Sequence, residues 1–217
     1  MTVEAPISHN DLSAIMHERR SVRTYDPTFK LSREEIKAIL TDAVQAPSGV
    51  NLQSWRFLVI DSQTLKEKLL PIAFNQKQVK DASAIIAVLG DLESYKKTET
   101  IYERTVQAGY MTESDKQRKV ENTLKMYESF PYELLSKYAY IDGGLVSMQL
   151  MLAAKARGYD TVAMAGYDLN AFKEAFSISE RYVSVILIAI GKALKEGHPS
   201  IRMSVEEVTS WNEMTFE

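Results

Sequence analysis

Pro47-Ser48-Gly49-Val50-Asn51-Leu52-Gln53-Ser54-Trp55-Arg56-Phe57 is a small-residue turn with amide side chains that runs straight into an apolar strand. Pro47 disfavours helical geometry at Ala46, so the preceding helix ends there. Gly49 lets the backbone lie close to a flat ligand, and Asn51 can both donate and accept at polar ring atoms. A polar helix-to-strand turn with no ligand is the plainer reading of the same residues. Upstream, Arg19-Arg20-Ser21-Val22-Arg23 packs three guanidinium groups and a hydroxyl into five residues. Arginine offers planar bidentate donors suited to a phosphate. Arginines at a helix C-terminus also complement the helix dipole, which is the alternative account of Arg19 and Arg20.

The elements around these clusters follow from local signals. A first helix is expected over about 11–20. The next starts at Ser32, with Glu35 three residues on as a capping box and Leu31 with Ile36 as the hydrophobic staple. Ile36, Ile39, Leu40, Ala43 and Val44 continue at helical spacing. Strands are expected over 57–60, 84–89, 161–164 and 182–190, and helices over 64–73, 139–157 and 170–176, with Gly158 as the C-terminal cap of the long one. Residues 91–130 are dense in charge, helical in composition and without a continuous apolar stripe, so they read as a solvated helical excursion. Its tyrosines (Tyr95, Tyr102, Tyr110, Tyr127) either stack on an aromatic ligand or serve packing. Strands alternating with helices predict a sheet with helices on its faces. The helix over 139–157 is apolar nearly all round, which makes a subunit interface its natural partner.

Bulk properties narrow the function. The 217 residues are 45% hydrophobic and 25% charged, ordinary for a globular protein with a sizeable core. A net charge of −3 gives no global attraction to nucleic acid or anionic membrane. Cysteine is absent, so there are no disulfides, thiol catalysis or cysteine zinc sites, and a reducing cytoplasm fits. Met1–Asn10 has no basic region followed by an apolar run and does not read as a signal peptide. The apolar stretch 139–156, broken by Asp142, Gly143-Gly144, Gln149 and Lys155, falls short of the ~20 apolar residues of a membrane span. Neither G-x-G-x-x-G nor the P-loop pattern occurs, His9, His17 and His198 are isolated, and there is no G-x-S-x-G. Hard chemistry in such a chain falls to a bound cofactor.

Six blocks, in order, resemble the FMN-dependent nitroreductase family: Arg19 to Tyr25, Ala46 to Phe57, Asp81 to Ala84, Gly158 to Thr161, Ala163 to Asp168, and Pro199 to Arg202. The resemblance covers nearly the whole chain. It departs from the family pattern at Ser54 and Ala163, where proline is usual. It implies an α+β fold with α/β/α layers, a mixed, mostly antiparallel central sheet, and an intertwined homodimer. The whole chain, 1–217, would be one domain with a helical excursion over about 91–138 and a C-terminal arm over about 192–217.

By the same resemblance, Arg19, Arg20, Ser21, Arg23 and Arg202 bind the FMN phosphate. Pro47, Ser48 and Asn51 approach the flavin of the other subunit. Asn75 and Gln78 reach the ring edge or ribityl chain, and backbone N–H groups at Ala165 and Gly166 point at the ring. No catalytic side chain and no metal are implied. The implied activity is ping-pong reduction of a small electron-poor acceptor, with NAD(P)H delivering hydride to flavin N5 and leaving before a nitroaromatic or quinone enters. A dehalogenase or dehydrogenase on the same scaffold and a non-catalytic flavin holder are the alternatives. A nucleic-acid binder built on Arg19–Arg23 is disfavoured by the net charge and the lack of a basic stripe.

Overall fold

The computed structural model describes residues 12–216. The expected helix start at residue 11, the reading of Met1–Asn10 and His9 lie outside the described residues. Eight α-helices among them are α1 (Leu12–Glu18), α2 (Arg33–Ala43), α3 (Gln63–Ile72), α4 (Lys77–Asp81), α5 (Thr98–Gln107), α6 (Glu113–Glu128), α7 (Tyr132–Ala156) and α8 (Leu169–Ala175). The strands are β1 (Thr24–Tyr25), β2 (Trp55–Ile60), β3 (Ala84–Asp91), β4 (Asp160–Met164), β5 (Tyr182–Gly191) and β6 (Ala193–Lys195).

The central sheet has the order β2-β3-β5-β4, and every pairing in it is antiparallel. Among the described residues, parallel pairing is confined to the isolated bridge Ser21–Thr161, which lays the arginine segment along β4. Strand β3 shows why its sequence is apolar without alternation. Ile85, Ala87 and Leu89 enter one core with Leu69, Val79 and Phe172, while Ala84, Ile86 and Val88 enter a second with Ile36, Ile39, Val146 and Leu150. Both faces are covered, so both residue parities are buried. The result is the layered α/β/α arrangement. Helix α7 lies close enough on β5 that a Cβ on Gly143 would stand 2.5 Å from Val185 Cγ2, so only glycine fits this contact.

Local signals hold where side chains act through the nearest turn. Ser32 Oγ accepts the Glu35 N–H at 3.1 Å, and Glu35 Oε2 accepts the Ser32 N–H at 2.9 Å. Leu31 and Ile36 share one core. Helix α7 ends in a Schellman motif: Gly158 at φ 74° donates to Lys155 (2.9 Å), and Tyr159 donates to Ala154 (3.0 Å).

Several boundaries move, three of them for reasons visible in the local contacts. Helix α2 stops at Ala43 instead of running on toward Ala46, because Val44, Gln45 and Ala46 tighten into turn bonds. Helix α7 begins directly after Pro131, seven residues earlier than expected, because Pro131 supplies the N-cap and the mixed run 132–138 is carried by tertiary packing. The excursion divides into α5 and α6, parted at Gly109 (φ 78°) and restarted by Thr112, whose hydroxyl accepts the Asp115 N–H. Strands β1 and β6 pair with each other and have two and three residues, too few to show a period. Among the described residues no helix is long and apolar enough to cross a membrane.

Candidate functional site

Backbone strain marks two of the expected segments. Seven non-glycine residues have positive φ among those described; Val50 (43°), Asn51 (60°) and Gln53 (49°) lie in one segment, Phe74 (54°) and Asn75 (57°) in another. A β-branched valine in the left-handed region costs of order 1–3 kcal/mol and persists only where surrounding contacts dictate it. Those contacts come from the excursion and from α7. Tyr102 donates its hydroxyl to the Val50 carbonyl at 3.1 Å. The Tyr127 hydroxyl stands against Gly49. Asp142 Oδ1 accepts the Gly49 N–H at 3.0 Å, and its Oδ2 accepts the Ser54 hydroxyl at 2.8 Å. Ser48 Oγ accepts the Gln53 N–H at 3.0 Å and closes the loop.

Asp142 is the residue that sequence reasoning passed over, counted only as an interruption of an apolar run. Its side chain sits on α7 at 4% exposure and fixes the loop at both ends. Ser54 holds its end of the loop through this hydroxyl. Burial, then the charge of Asp142, pushes the Tyr127 phenol up to about 12, so it stays neutral. Replacing Asp142 with alanine orphans the buried Ser54 hydroxyl and the half-buried Gly49 N–H and is expected to cost about 2 kcal/mol of stability. An asparagine side chain keeps an acceptor for the Gly49 N–H and, with the Ser54 hydroxyl turned, a donor for its oxygen. Asp142→Asn should therefore cost less than half as much. Urea unfolding of the two variants checks the order.

The second strained segment meets the loop after β4. Gln76 Nε2 donates to the Gly166 carbonyl at 2.7 Å. Gln78, 6% exposed, donates to Gln76 Oε1 at 2.9 Å and lies 3.4 Å from Met164 Sδ. Gln78 is thus occupied in holding Gln76, while Asn75, Ala165 and Gly166 are exposed. No described residue lies within 4 Å of where a Gly166 Cβ would stand, which leaves that backbone open to a ligand.

The arginine cluster divides its tasks. Arg20 Nη1 donates to the carbonyls of His17 and of Arg19 (2.9 Å), closing the end of α1 as the dipole reading expects. Arg19 Nε is buried and has no hydrogen-bond partner among the described residues. Ser21 is bridged to Thr161, and Arg23 is exposed. The arm returns to this place: a Cβ on Gly197 would lie 2.6 Å from Arg20 Cβ. A groove of about 620 Å³ follows, with Arg20, Lys155, Asp160 and Glu196 on its walls. Farther along the arm Arg202 is exposed and donates to the carbonyl of Ile201 (3.1 Å). Pro47 lies elsewhere, on a groove of about 820 Å³ between α1 and α7 with Leu12, Leu145 and Met148.

The tyrosines of the excursion are mostly structural. Tyr95 and Tyr127 stack at 5.9 Å, and Tyr127 continues to Phe130 (5.1 Å) and Tyr138 (6.2 Å). Tyr110, 86% exposed, is the exception. Among the described residues no three metal-ligating side chains gather.

A sequence model described as "Nitroreductase family" matches residues 16–192, from α1 through β5. The chain belongs to the Nitroreductase family. The arm beyond residue 192 falls outside the matched stretch. YdgI of Bacillus subtilis, named as a candidate NAD(P)H nitroreductase, is 48% identical over 207 residues, 94% of this chain and 99% of the relative. The CLA biosynthesis enone reductase of Lactiplantibacillus plantarum is 35% identical over 206 residues, 94% of this chain and 95% of the relative. Among solved structures, a candidate nitroreductase of Exiguobacterium sibiricum in complex with FMN superposes with a TM-score of 0.91 at 45% identity. That match covers 96% of this chain and all of the other. Nitroreductase-family membership thus rests on both sequence and fold.

Proposed function

We propose that the chain is an FMN-dependent oxidoreductase that uses NAD(P)H to reduce electron-poor acceptors, working as an intertwined homodimer. The observation that carries this reading is the orphaned Arg19 Nε, a buried cationic donor with no acceptor among the described residues, close in sequence to the half-buried Ser21 and the exposed Arg23. A buried guanidinium donor without an acceptor is costly, and a phosphate supplies one. The FMN complex of the Exiguobacterium relative supports the identity of the group.

When bound, FMN would supply two-electron redox chemistry between NAD(P)H and an acceptor that uses the same pocket in turn. The chain binds and orients. Arg19, Ser21 and Arg23 hold the phosphate, with Arg20 set by α1 and Arg202 brought in by the arm. Asn75, carried by a left-handed backbone, and the N–H groups of Ala165 and Gly166 face the ring edge, and Gln78 fixes Gln76 behind them. Pro47, Ser48 and Asn51 face the flavin held by the other subunit. N–H donors at the ring stabilise negative charge there as an oxyanion hole does, without a catalytic acid. The helical excursion over about 91–138 governs acceptor choice on a fixed scaffold. Nitroaromatics and quinones are suitable acceptors, and the enone reductase relative supports conjugated carbonyl compounds as well.

The purified protein is expected to be yellow and to bleach under anaerobic NADH or NADPH. Colourless protein that gains no flavin spectrum with FMN would overturn the reading; a yellow protein that neither nucleotide bleaches would be a flavin holder without turnover. Arg19→Ala and Arg23→Ala should each raise the Kd for FMN by about 10–100-fold, the worth of one charge-assisted hydrogen bond. Lys37→Ala, on the exposed side of α2, should leave it within twofold. Equal effects across the three would remove the phosphate assignment.

A further inference from the structure

Helix α5 sorts its charges. Glu99 and Glu103 turn to Lys116 of α6, at 3.6 and 2.6 Å, where Glu113 joins them at 2.8 Å. Lys97, at the N-cap of α5, and Arg104, two turns on, turn instead into a groove of about 680 Å³. Its far wall is the segment from Asn51 to Arg56. Among the described residues no carboxylate lines the groove. Arg56 is already committed, with Nη2 on Asp91 (2.7 Å) and Nη1 on the carbonyls of Gln53 (3.0 Å) and Trp55 (2.7 Å). Neither side chain, Lys97 or Arg104, has an ion-pair or hydrogen-bond partner among the described residues. In a chain of net charge −3, two free cations over a carboxylate-free groove reverse the local field.

The rest of the groove sets the character of the ligand. Ile101 and Ala108 present apolar surface between the cations and the exposed Tyr110, and Asn51 and Gln53 add amides. Seven residues of helix separate Lys97 from Arg104 by roughly 10 Å along the axis, within reach of one another for side chains this long. The volume suits an organic molecule of ordinary metabolite or cofactor size.

We propose that Lys97 and Arg104 form an anion subsite that docks the carboxylate or phosphate of a substrate lying in the groove between α5 and the segment 51–56. The assignment of the ligand as a substrate rests on the oxidoreductase reading, because Asn51 belongs both to this groove and to the loop given to the flavin. A carboxylated acceptor and the phosphates of the nicotinamide nucleotide share the required chemistry.

Titration calorimetry on the oxidised, flavin-loaded protein separates the outcomes, with 4-nitrobenzoate and its neutral isostere 4-nitrobenzamide as probes, and with NADP⁺ and NAD⁺. The acid is expected to bind about tenfold tighter than the amide, a preference that falls toward one in Lys97→Ala/Arg104→Ala and in 0.5 M salt. A loss confined to NADP⁺ and NAD⁺ in the double variant supports the subsite and assigns it to the nucleotide phosphates. Acid and amide binding equally to the wild type, with nucleotide affinity unmoved in the variant, overturns the proposal. So does an equal loss for acid and amide. The measurement is an equilibrium one. Failure of NAD(P)H to bleach the protein therefore counts against the redox reading alone, and the affinity ratios still decide the subsite.

Discussion

Asp91→Ala is expected to lower the free energy of unfolding by about 3 kcal/mol, toward the low end for removing one member of a buried ion pair. The side chain of Asp91 is fully buried and accepts four hydrogen bonds. They come from Arg56 Nη2 (2.7 Å), Arg181 Nε (2.6 Å) and Nη2 (2.7 Å), and the Glu93 N–H (3.0 Å). The arginines left behind are about a third exposed, at 31% and 34%, so water takes over part of the lost solvation and keeps the cost from rising further. The damage reaches the site, because Arg56 also ties the carbonyls of Gln53 and Trp55 at the end of the strained loop.

The pH dependence has a definite sign. Burial opposes ionisation of Asp91. The hydrogen bonds from Arg181 and the Glu93 N–H, with the charge of Arg56, outweigh it and hold the carboxyl below the usual carboxylate range. A depressed carboxyl stabilises the fold above its unfolded pKa, about 4, and loses that contribution as pH falls further through the folded value. The gap between wild type and Asp91→Ala should therefore be full at pH 7 and shrink below about pH 4. Guanidinium midpoints at pH 7, 4 and 3, at fixed protein and FMN concentration, measure it. A gap under 1 kcal/mol at pH 7, or one that does not shrink in acid, would show that the network is not holding this end of the sheet.

What could be read before the structure depends on how far each residue acts. Ser32 and Glu35 cap α2 through three residues of chain, and Gly158 closes α7 through the turn it belongs to, so both were legible. The uniform apolarity of β3 was legible as burial on both faces. Val50 was not, because nothing in its side chain favours positive φ. Its conformation is imposed by Tyr102 from 52 residues away and by Asp142, which grips the neighbouring Gly49 from 93 residues away. Asp142 looked like a flaw in an apolar helix because its partners, Gly49 and Ser54, are distant in sequence. Gln76 was missed for a similar reason. It lies between the two expected ligand residues, Asn75 and Gln78, and its acceptor, the Gly166 carbonyl, shows no side chain to a reader of sequence. The arginine cluster was legible as a group, but its division was not: only the fold shows that Arg20 closes α1 and leaves Arg19 Nε unpaired.

Replacing Ile141 and Leu145 together with glutamate is expected to give a folded, colourless monomer. Ile141, Leu145 and Met148 form a row at i, i+4 and i+7 on α7, exposed by 49%, 43% and 38%, beside Leu12 (57%) and Met16 (49%) of α1. A contiguous apolar face of this kind on a globular chain marks an interaction surface. The arm adds Ile201, Trp211 and Met214 at 98%, 82% and 79% exposure, large apolar side chains that the described residues leave largely uncovered. Both features fit a second copy of the chain, with the arm reaching across it. Pro47 stands on the same groove as Leu145, so the loop assigned to the flavin borders the proposed interface directly. Two carboxylates on each copy, facing their equivalents across a two-fold axis, would have to be buried against like charge, and association should fail. Because Pro47, Ser48 and Asn51 serve the neighbouring subunit's flavin in this reading, FMN should leave with the dimer. Sedimentation equilibrium should give about twice 24.6 kDa for the wild type and 24.6 kDa for the variant, with far-UV circular dichroism unchanged. A yellow wild type of monomer mass would refute the dimer. A monomeric variant that holds FMN as tightly as the wild type would place the whole flavin site within one chain, and the 47–51 loop would then lose its role across the interface.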